Sequence, residues 1–385
     1  MGTSISSSFN RFHFRYVAGC CVFLVILFLL LPHYVVSYYP TSRVCDIPVN
    51  NVNTTEPEKT IIPNQVHYVY ILSDPEGDFG FDFSHFLSIY ATSFYWRPTT
   101  IYFHTNAPLN GGAIARARDG QAGKWTQLIF TMFDNLQINI VDAPTHTSTG
   151  KEIQGMEHRS DFARVKAVQN LGGIYIDWDV HPLRDIAVLR ESGFKAIAGR
   201  QLGEQVNSGV FMTVKEGKMI TRWMYGMHEA YTGGWTTHSN EVITKFGQRL
   251  VREPGEMLIM ERDAFAPGGW GDVDTDTLFR VHNDTESNLH AFDPAVDTLP
   301  LYEESFDDRW EHADEYPSWA HDYSSSYMLH AFSPSRWGHQ VEGFNHISPR
   351  YVLERRSNFA RAVYPVARQM YEQGLFDIED SYDGQ

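Results

Sequence analysis

Cysteine is scarce in this sequence. Only Cys20, Cys21 and Cys45 occur in 385 residues, so the chain is no disulfide scaffold, and nothing after position 45 can close an internal disulfide. Basic residues are in deficit too: 31 Lys and Arg face 47 Asp and Glu, a net charge of −16 with histidine neutral. A protein that grips nucleic-acid phosphates needs a basic face, so no nucleic-acid partner is expected. Internal repeats and long low-complexity tracts are missing. What the chain does have is a globular composition, 43% hydrophobic and 20% charged, with ample material for a core. Aromatic residues reach 14%; their faces suit sugar rings and nucleobases as well as packing.

Long apolar runs are absent except for one, over residues 17–36, which as a helix spans about 30 Å, enough to cross a bilayer. Arg11 and Arg15 precede it and no acidic residue does. The positive-inside rule then keeps residues 1–16 cytoplasmic and sends the rest of the chain into the lumen. A cleaved signal peptide is the alternative, but the bulky Val35-Val36-Ser37-Tyr38-Tyr39 offers no small-x-small cleavage site. Residues 17–37 therefore read as the anchor of a single-pass type II protein. Residues 38–62, with Pro40, Pro48 and Pro57 among Asn, Thr and Glu, read as an extended stem. Cys45 in that stem is left either to join two chains in a disulfide-linked homodimer or to stay a free thiol. Asn53-Thr54-Thr55 and Asn283-Asp284-Thr285 are glycosylation sequons and suit a lumenal setting.

Globular structure is expected over 63–375, with a short C-terminal tail at 376–385. Residues 66–72 read as a buried first strand, followed by a helix around 83–95 and strands at 99–103 and 138–141. A helix over 160–171, with Ser160 as its N-cap, precedes a strand at 174–176. Further strands are expected at 196–198 and 210–214, and helices at 217–231, 239–252 and 350–373. Alternating strands and helices imply an α/β fold whose mostly parallel sheet is covered on both faces. Residues 263–322 read as loops with short elements. Within them the acidic stretch Gly271 to Asp276 reads as a solvated loop rather than a calcium site, since Thr277 stands where such a loop needs glycine.

The chemistry concentrates in residues 160–180, SDFARVKAVQNLGGIYIDWDV. Asp161 and Arg164 lie three apart and share one helix surface. Gly172-Gly173 ends the helix, and Asp177 and Asp179 follow the strand. In an extended segment residues i and i+2 point the same way, so both carboxylates can reach one cation. Ligands also gather at the C-terminal ends of strands in open α/β sheets. Hard oxygen donors suit Mg²⁺ or Mn²⁺, with substrate phosphates completing the shell.

Ser160-Asp161 with Arg164, and then Gly172 to Val180, resembles the DXD sugar-binding region of glycosyltransferase family 32. That family includes fungal α-1,6-mannosyltransferases, inositol-phosphoceramide mannosyltransferases and animal α-1,4-galactosyl- and N-acetylglucosaminyltransferases. Weaker similarity extends from 62–67 to about residue 337. The resemblance implies a GT-A fold with a mixed central sheet, a nucleotide-sugar donor, a divalent metal and retention of anomeric configuration. It makes Asp177 and Asp179 the DXD carboxylates, Asp179 ligating the metal and Asp177 also bridging toward the donor. It sets Asp161 and Arg164 at the donor sugar, with Tyr175 and Asn207, of Asn207-Ser208-Gly209, nearby. Met328-Leu329-His330 and Ser335-Arg336-Trp337 resemble a C-terminal His…Ser-Trp element, here interrupted by Arg336. They supply His330 as a third metal ligand and Trp337 at the nucleotide.

In this scheme Asp161, Arg164 and Asp177 carry the catalysis. Arg164 adds fixed positive charge as the diphosphate leaves, and Asp161 orients sugar hydroxyls. No base is identified, and a front-face and a covalent mechanism both stay open. The implied function is a Golgi hexosyltransferase using Mn²⁺ or Mg²⁺ and acting on a glycan or glycolipid. GDP-mannose is the first donor to consider, with UDP-galactose and UDP-N-acetylglucosamine as alternatives. The other reading is a catalytically silent sugar-binding or scaffold protein of the same fold. Such a protein would be expected to lack a DXD aspartate or Arg164, and this chain keeps all three.

Overall fold

The structure, a computed structural model, describes residues 61–283, 316–334 and 338–385. The expected anchor at 17–37, nearly all of the stem including Cys45, and Trp337 lie outside these residues. Among the described residues no helix is long and apolar enough to cross a membrane. The strands are β1 (Gln65–Val69), β2 (Thr100–Thr105), β3 (Leu136–Ile140), β4 (Gly173–Ile176), β5 (Val180–Pro182), β6 (Ala196–Arg200), β7 (Val206–Thr213), β8 (Leu258–Met260) and β9 (Met328–His330). The helices are α1 (Phe83–Trp96), α2 (Gly112–Arg118), α3 (Lys124–Thr131), α4 (Met156–Leu171), α5 (Ala187–Arg190), α6 (Lys218–Ala230), α7 (Asn240–Leu250), α8 (Arg262–Phe265), α9 (Asp272–Phe279), α10 (Pro349–Leu353) and α11 (Asn358–Glu372).

The main sheet has the order β3-β2-β1-β4-β7-β6-β8, and β5 pairs with β9 apart from it. Its β3–β2, β2–β1, β1–β4 and β6–β8 pairs are parallel, and β7 runs antiparallel to both neighbours. The sheet is therefore mixed but mostly parallel. Period-2 alternation divides its side chains between two cores. Ile174, Ile176, Val210 and Met212 face one core with Phe83 and Phe86 of α1 and Trp125 of α3. Tyr175 and Phe211 face the other with Phe162 of α4, Trp223 of α6 and Ile243 of α7. Covered on both faces, β4 and β7 are buried along their whole length.

Four local expectations change. α4 begins at Met156, because Gly155 at φ +78° is its N-cap. Ser160 is therefore an interior residue, and Asp161 lies mid-helix rather than in the first turn. The single helix expected at 350–373 is two, since Arg355 turns to φ +56° and Ser357 caps α11 by accepting from the Ala360 N–H. The acidic stretch is α9 rather than a loop, with Asp272 and Asp274 in its first turn where they complement the helix dipole. Residues 376–385, set apart above as a tail, lie against the fold. Phe376 packs on Phe83 at 5.1 Å, and the Tyr382 carbonyl accepts from the Phe83 N–H at 2.8 Å.

A directional chain of hydrogen bonds ties β1, β2 and β3 to the end of α4. The Asn139 amide donates to His104 Nδ1 at 2.9 Å. His104 and His67 bond ring to ring at 2.8 Å, and His67 Nε2 donates to the Gly172 carbonyl at 2.7 Å. Both rings must be neutral for this order to hold. Burial pushes His67 from 6.5 down to about 4 and His104 well below its ordinary value. Groups depressed in this way stabilise the fold fully above the unfolded value, and that stability is lost as pH falls toward the folded one. His67 alone is expected to cost about 3 kcal/mol of stability between pH 7 and pH 4. Denaturant unfolding at a series of pH values checks this; His67→Gln should flatten the decline.

Candidate active site

The site forms where β4 ends. The Asp177 N–H donates to the Gly209 carbonyl at 2.8 Å, which carries the β4–β7 ladder one step beyond the Ile176–Val210 pair. This is how Asn207, Ser208 and Gly209, distant in sequence, come to face the DXD segment. The chain then turns, with the Val180 N–H donating to the Asp177 carbonyl at 3.1 Å. Asp177 and Asp179 thus do not share one face of an extended strand; a turn, not a pleat, brings them together. Trp178 holds the turn from the other side. Its ring packs on Tyr68 at 4.4 Å and Phe81 at 4.6 Å, and its Nε1 donates to the Val69 carbonyl at 2.9 Å.

β5 pairs with β9 so that Val180 lies opposite His330, and the Ala331 N–H donates to the Asp179 carbonyl at 2.8 Å. One carboxylate oxygen each from Asp177 and Asp179 and one ring nitrogen of His330 then lie within 4.8 Å of one another. His330 Nε2 is 3.3 Å from Asp179 Oδ1. Desolvation works to raise the Asp179 pKa, but the His330 imidazole beside it holds the carboxyl below its ordinary value.

Asn207 fixes the other edge of His330. Its Oδ1 accepts from the Gly209 N–H at 2.5 Å, so its amide nitrogen faces Gln201 at 2.8 Å and His330 Nδ1 at 3.0 Å. In its neutral form His330 then carries its proton on Nε2. Ligation through Nε2 requires the other tautomer and a turned Asn207 amide. Gly209 itself is obligatory here. A Cβ on it would lie 2.5 Å from Asp177 Oδ2 and 2.9 Å from both Asn207 Oδ1 and His330 Cε1. Gly209→Ala is expected to push Asp177, Asn207 and His330 apart and cut activity about 100-fold, which a turnover assay on both proteins checks.

On the α4 side of the sheet, Arg164 lies 5.0 Å from the Tyr175 ring centre. Its Nη1 bonds Asp177 Oδ1 at 2.8 Å, and its Nη2 bonds Asp161 and, at 3.3 Å, Ser208. Tyr175 donates its hydroxyl to Asp177 at 2.5 Å. Burial and the Asp177 charge push its pKa well above 10, so it stays a donor. Both Asp161 oxygens are engaged, one by Arg164 and the other by His238 Nε2 at 2.7 Å, and each keeps a lone pair to accept a further bond. The Asp161–Arg164 pair is therefore buried within the site and is no surface ion pair.

The structure thus assembles Asp161, Arg164, Tyr175, Asp177, Asp179, Asn207 and His330 into one cluster. Sequence reasoning missed His238 and the link from Ser208 to Arg164. No local pattern marks either, because each meets Asp161 or Arg164 across long stretches of chain. Three carboxylates against one guanidinium leave the cluster two negative charges, which suits a divalent cation.

Residues 113–196 match the family model described as the glycosyltransferase sugar-binding region containing DXD motif. That segment holds Asp161, Arg164, Asp177 and Asp179, so the family likeness of this chain falls on the cluster just described. The chain is similar to glucan organizing enzyme 1 of Cryptococcus neoformans var. grubii, with 23% identity over 318 residues covering 79% of this chain and 70% of the relative. Solved structures similar to it include the apo-form glycosyltransferase GlyE of Streptococcus pneumoniae, at TM-score 0.37 and 9% identity over 81% of this chain and 64% of that one. Another is the apo structure of the WbbM bifunctional glycosyltransferase, at TM-score 0.37 and 11% identity over 87% of this chain and 53% of that one.

Proposed function

We propose that this glycosyltransferase moves a hexose from a nucleotide sugar to a glycan or glycolipid, on a GT-A scaffold, with retention of configuration and dependence on Mn²⁺ or Mg²⁺. One observation carries the reading: the donor atoms of Asp177, Asp179 and His330 converge within 4.8 Å at the end of a central strand, beside a buried arginine. Two carboxylates and an imidazole fit a divalent cation. When bound there it would stabilise, as a Lewis acid, the charge developing on a departing diphosphate.

The chain's own residues do the rest. Arg164 is a positive charge already in place, needing no reorganisation as charge separates. Asp161 has both oxygens engaged, so it is held as an acceptor for sugar hydroxyls rather than freed as a nucleophile. Tyr175 fixes the outer face of Asp177. GDP-mannose is the first donor to test, followed by UDP-galactose and UDP-N-acetylglucosamine. The name of the Cryptococcus relative, glucan organizing enzyme 1, makes a glucan the first acceptor class to test. In this reading the protein is a single-pass type II Golgi protein anchored through residues 17–37; the arginines before that run and the sequons after it support this orientation.

The test is release of nucleoside diphosphate from the three donors by the full-length chain, with Mn²⁺ and with EDTA. Turnover of one donor, abolished by EDTA, is the expected result. No metal-dependent release from any donor would favour the silent sugar-binding protein instead.

A further inference from the structure

We infer that His238 is a positioning residue for glycosyl transfer: it locks the Asp161 carboxylate, and through it the Arg164 fork, in the orientation that a bound donor meets. This rests on the function proposed above and assigns a role to a side chain outside the matched family segment.

The inference starts from one contact. His238 Nε2 and Asp161 Oδ2 are 2.7 Å apart, and an ionised carboxylate can only accept. The proton therefore sits on His238 Nε2. Burial and the nearby Arg164 charge, against a hydrogen bond to the Gly234 backbone that works the other way, push the His238 pKa down to about 4, so the ring is neutral at physiological pH and aims its Nε2–H at Asp161.

The ring is also immobile. It is completely buried and stacks on Phe162 at 5.4 Å with 3° between planes. His158 and Tyr231 stand edge-on to it at 4.6 and 5.1 Å. Its backbone carbonyl accepts from Trp223 Nε1 at 3.2 Å. Both ring and backbone are thus tied to α4 and α6, and the donor nitrogen has little freedom to wander.

A purely structural histidine would satisfy this description up to the choice of partner, and the partner is what matters. Asp161 gives its other oxygen to Arg164, and Arg164 in turn reaches Asp177. Three successive polar contacts therefore run from the α6–α7 connection to a DXD carboxylate. Without His238 one Asp161 oxygen is released, the carboxylate can rotate, and the Arg164 fork loses its fixed seat. Outer partners of this kind typically change activity by about 10- to 100-fold.

The experiment uses the full-length chain and Mn²⁺-dependent hydrolysis of whichever of GDP-mannose, UDP-galactose and UDP-N-acetylglucosamine the unaltered protein turns over. His238→Ala is expected to lower kcat about 10- to 100-fold while donor KM stays within about 3-fold. His238→Gln carries an amide N–H to roughly the Nε2 position and should bring kcat back to within about 5-fold of the unaltered protein. His238→Asn stops short at the Nδ1 position and should not. Unchanged kcat in His238→Ala, or a Gln variant no better than the Asn variant, would overturn the assignment. If the Ala variant fails to fold, the Gln and Asn pair decides on the same criterion. A different failure, in which the unaltered protein hydrolyses none of the three donors, would bring down the glycosyl-transfer reading and the role of His238 with it.

Discussion

Asp179→Asn will cost the enzyme about 10³-fold in the metal-dependent turnover proposed above and leave the fold almost untouched. The two halves of this expectation have separate causes. The Asp179 side chain is 42% exposed, and its ionic partner is His330 at 3.3 Å, so solvent screens most of what that pair contributes to folding. Its backbone carbonyl, which takes the Ala331 N–H, survives the substitution. Stability should therefore move by no more than about 1 kcal/mol. The carboxylate charge is another matter, because a neutral amide is a poor ligand for a hard cation. Turnover and denaturant unfolding on the same preparation check both halves. Wild-type turnover in the variant would remove Asp179 from the proposed metal site.

Arg164→Ala should produce the opposite combination, losing activity and stability together. Its guanidinium is buried and sits between Asp161 and Asp177. Burial works against its charge, but Asp177 and Tyr175 more than offset this and raise its pKa above the ordinary value. Deleting it leaves two carboxylates uncompensated in a low-dielectric setting, and breaking a buried pair in this way costs about 3–5 kcal/mol. Arg164→Lys keeps the charge but not the planar fork that bonds both carboxylates at once. It should recover part of the stability and little of the activity. A denaturation midpoint unchanged in Arg164→Ala would mean that the buried cluster does not hold α4 to the ends of β4 and β7.

The fold and the site differed in how legible they were. β1 and β4 announce themselves as apolar runs, β7 does so only from Val210 onward because Asn207-Ser208-Gly209 carries no strand pattern, and α6 and α7 lie within a residue or two of their expected ends. The DXD aspartates stood out because a strand and a glycine pair precede them. Helix starts were harder. Ser160 is a good cap, yet Gly155 won, because the buried face of α4 extends back to His158 and the helix gains packing by starting earlier. The turn at Trp178 was invisible because Ile-Asp-Trp-Asp-Val is as compatible with an extended strand as with a corner. It is the docking of the indole against Tyr68 and Phe81 that selects the corner. His238 is 77 residues from Asp161, and such a meeting is written in the packing of α4 against α6, not in any local spacing.

The indole of Trp178 has a practical consequence. It is wedged between the two acidic side chains in sequence and anchored by its N–H to the first strand, so any change in the corner must alter its surroundings. Fluorine labelling of the tryptophans, nine in all, would give each its own magnetic resonance line. The line lost in Trp178→Phe would then report whether added Mg²⁺ reaches the corner, before any substrate is known.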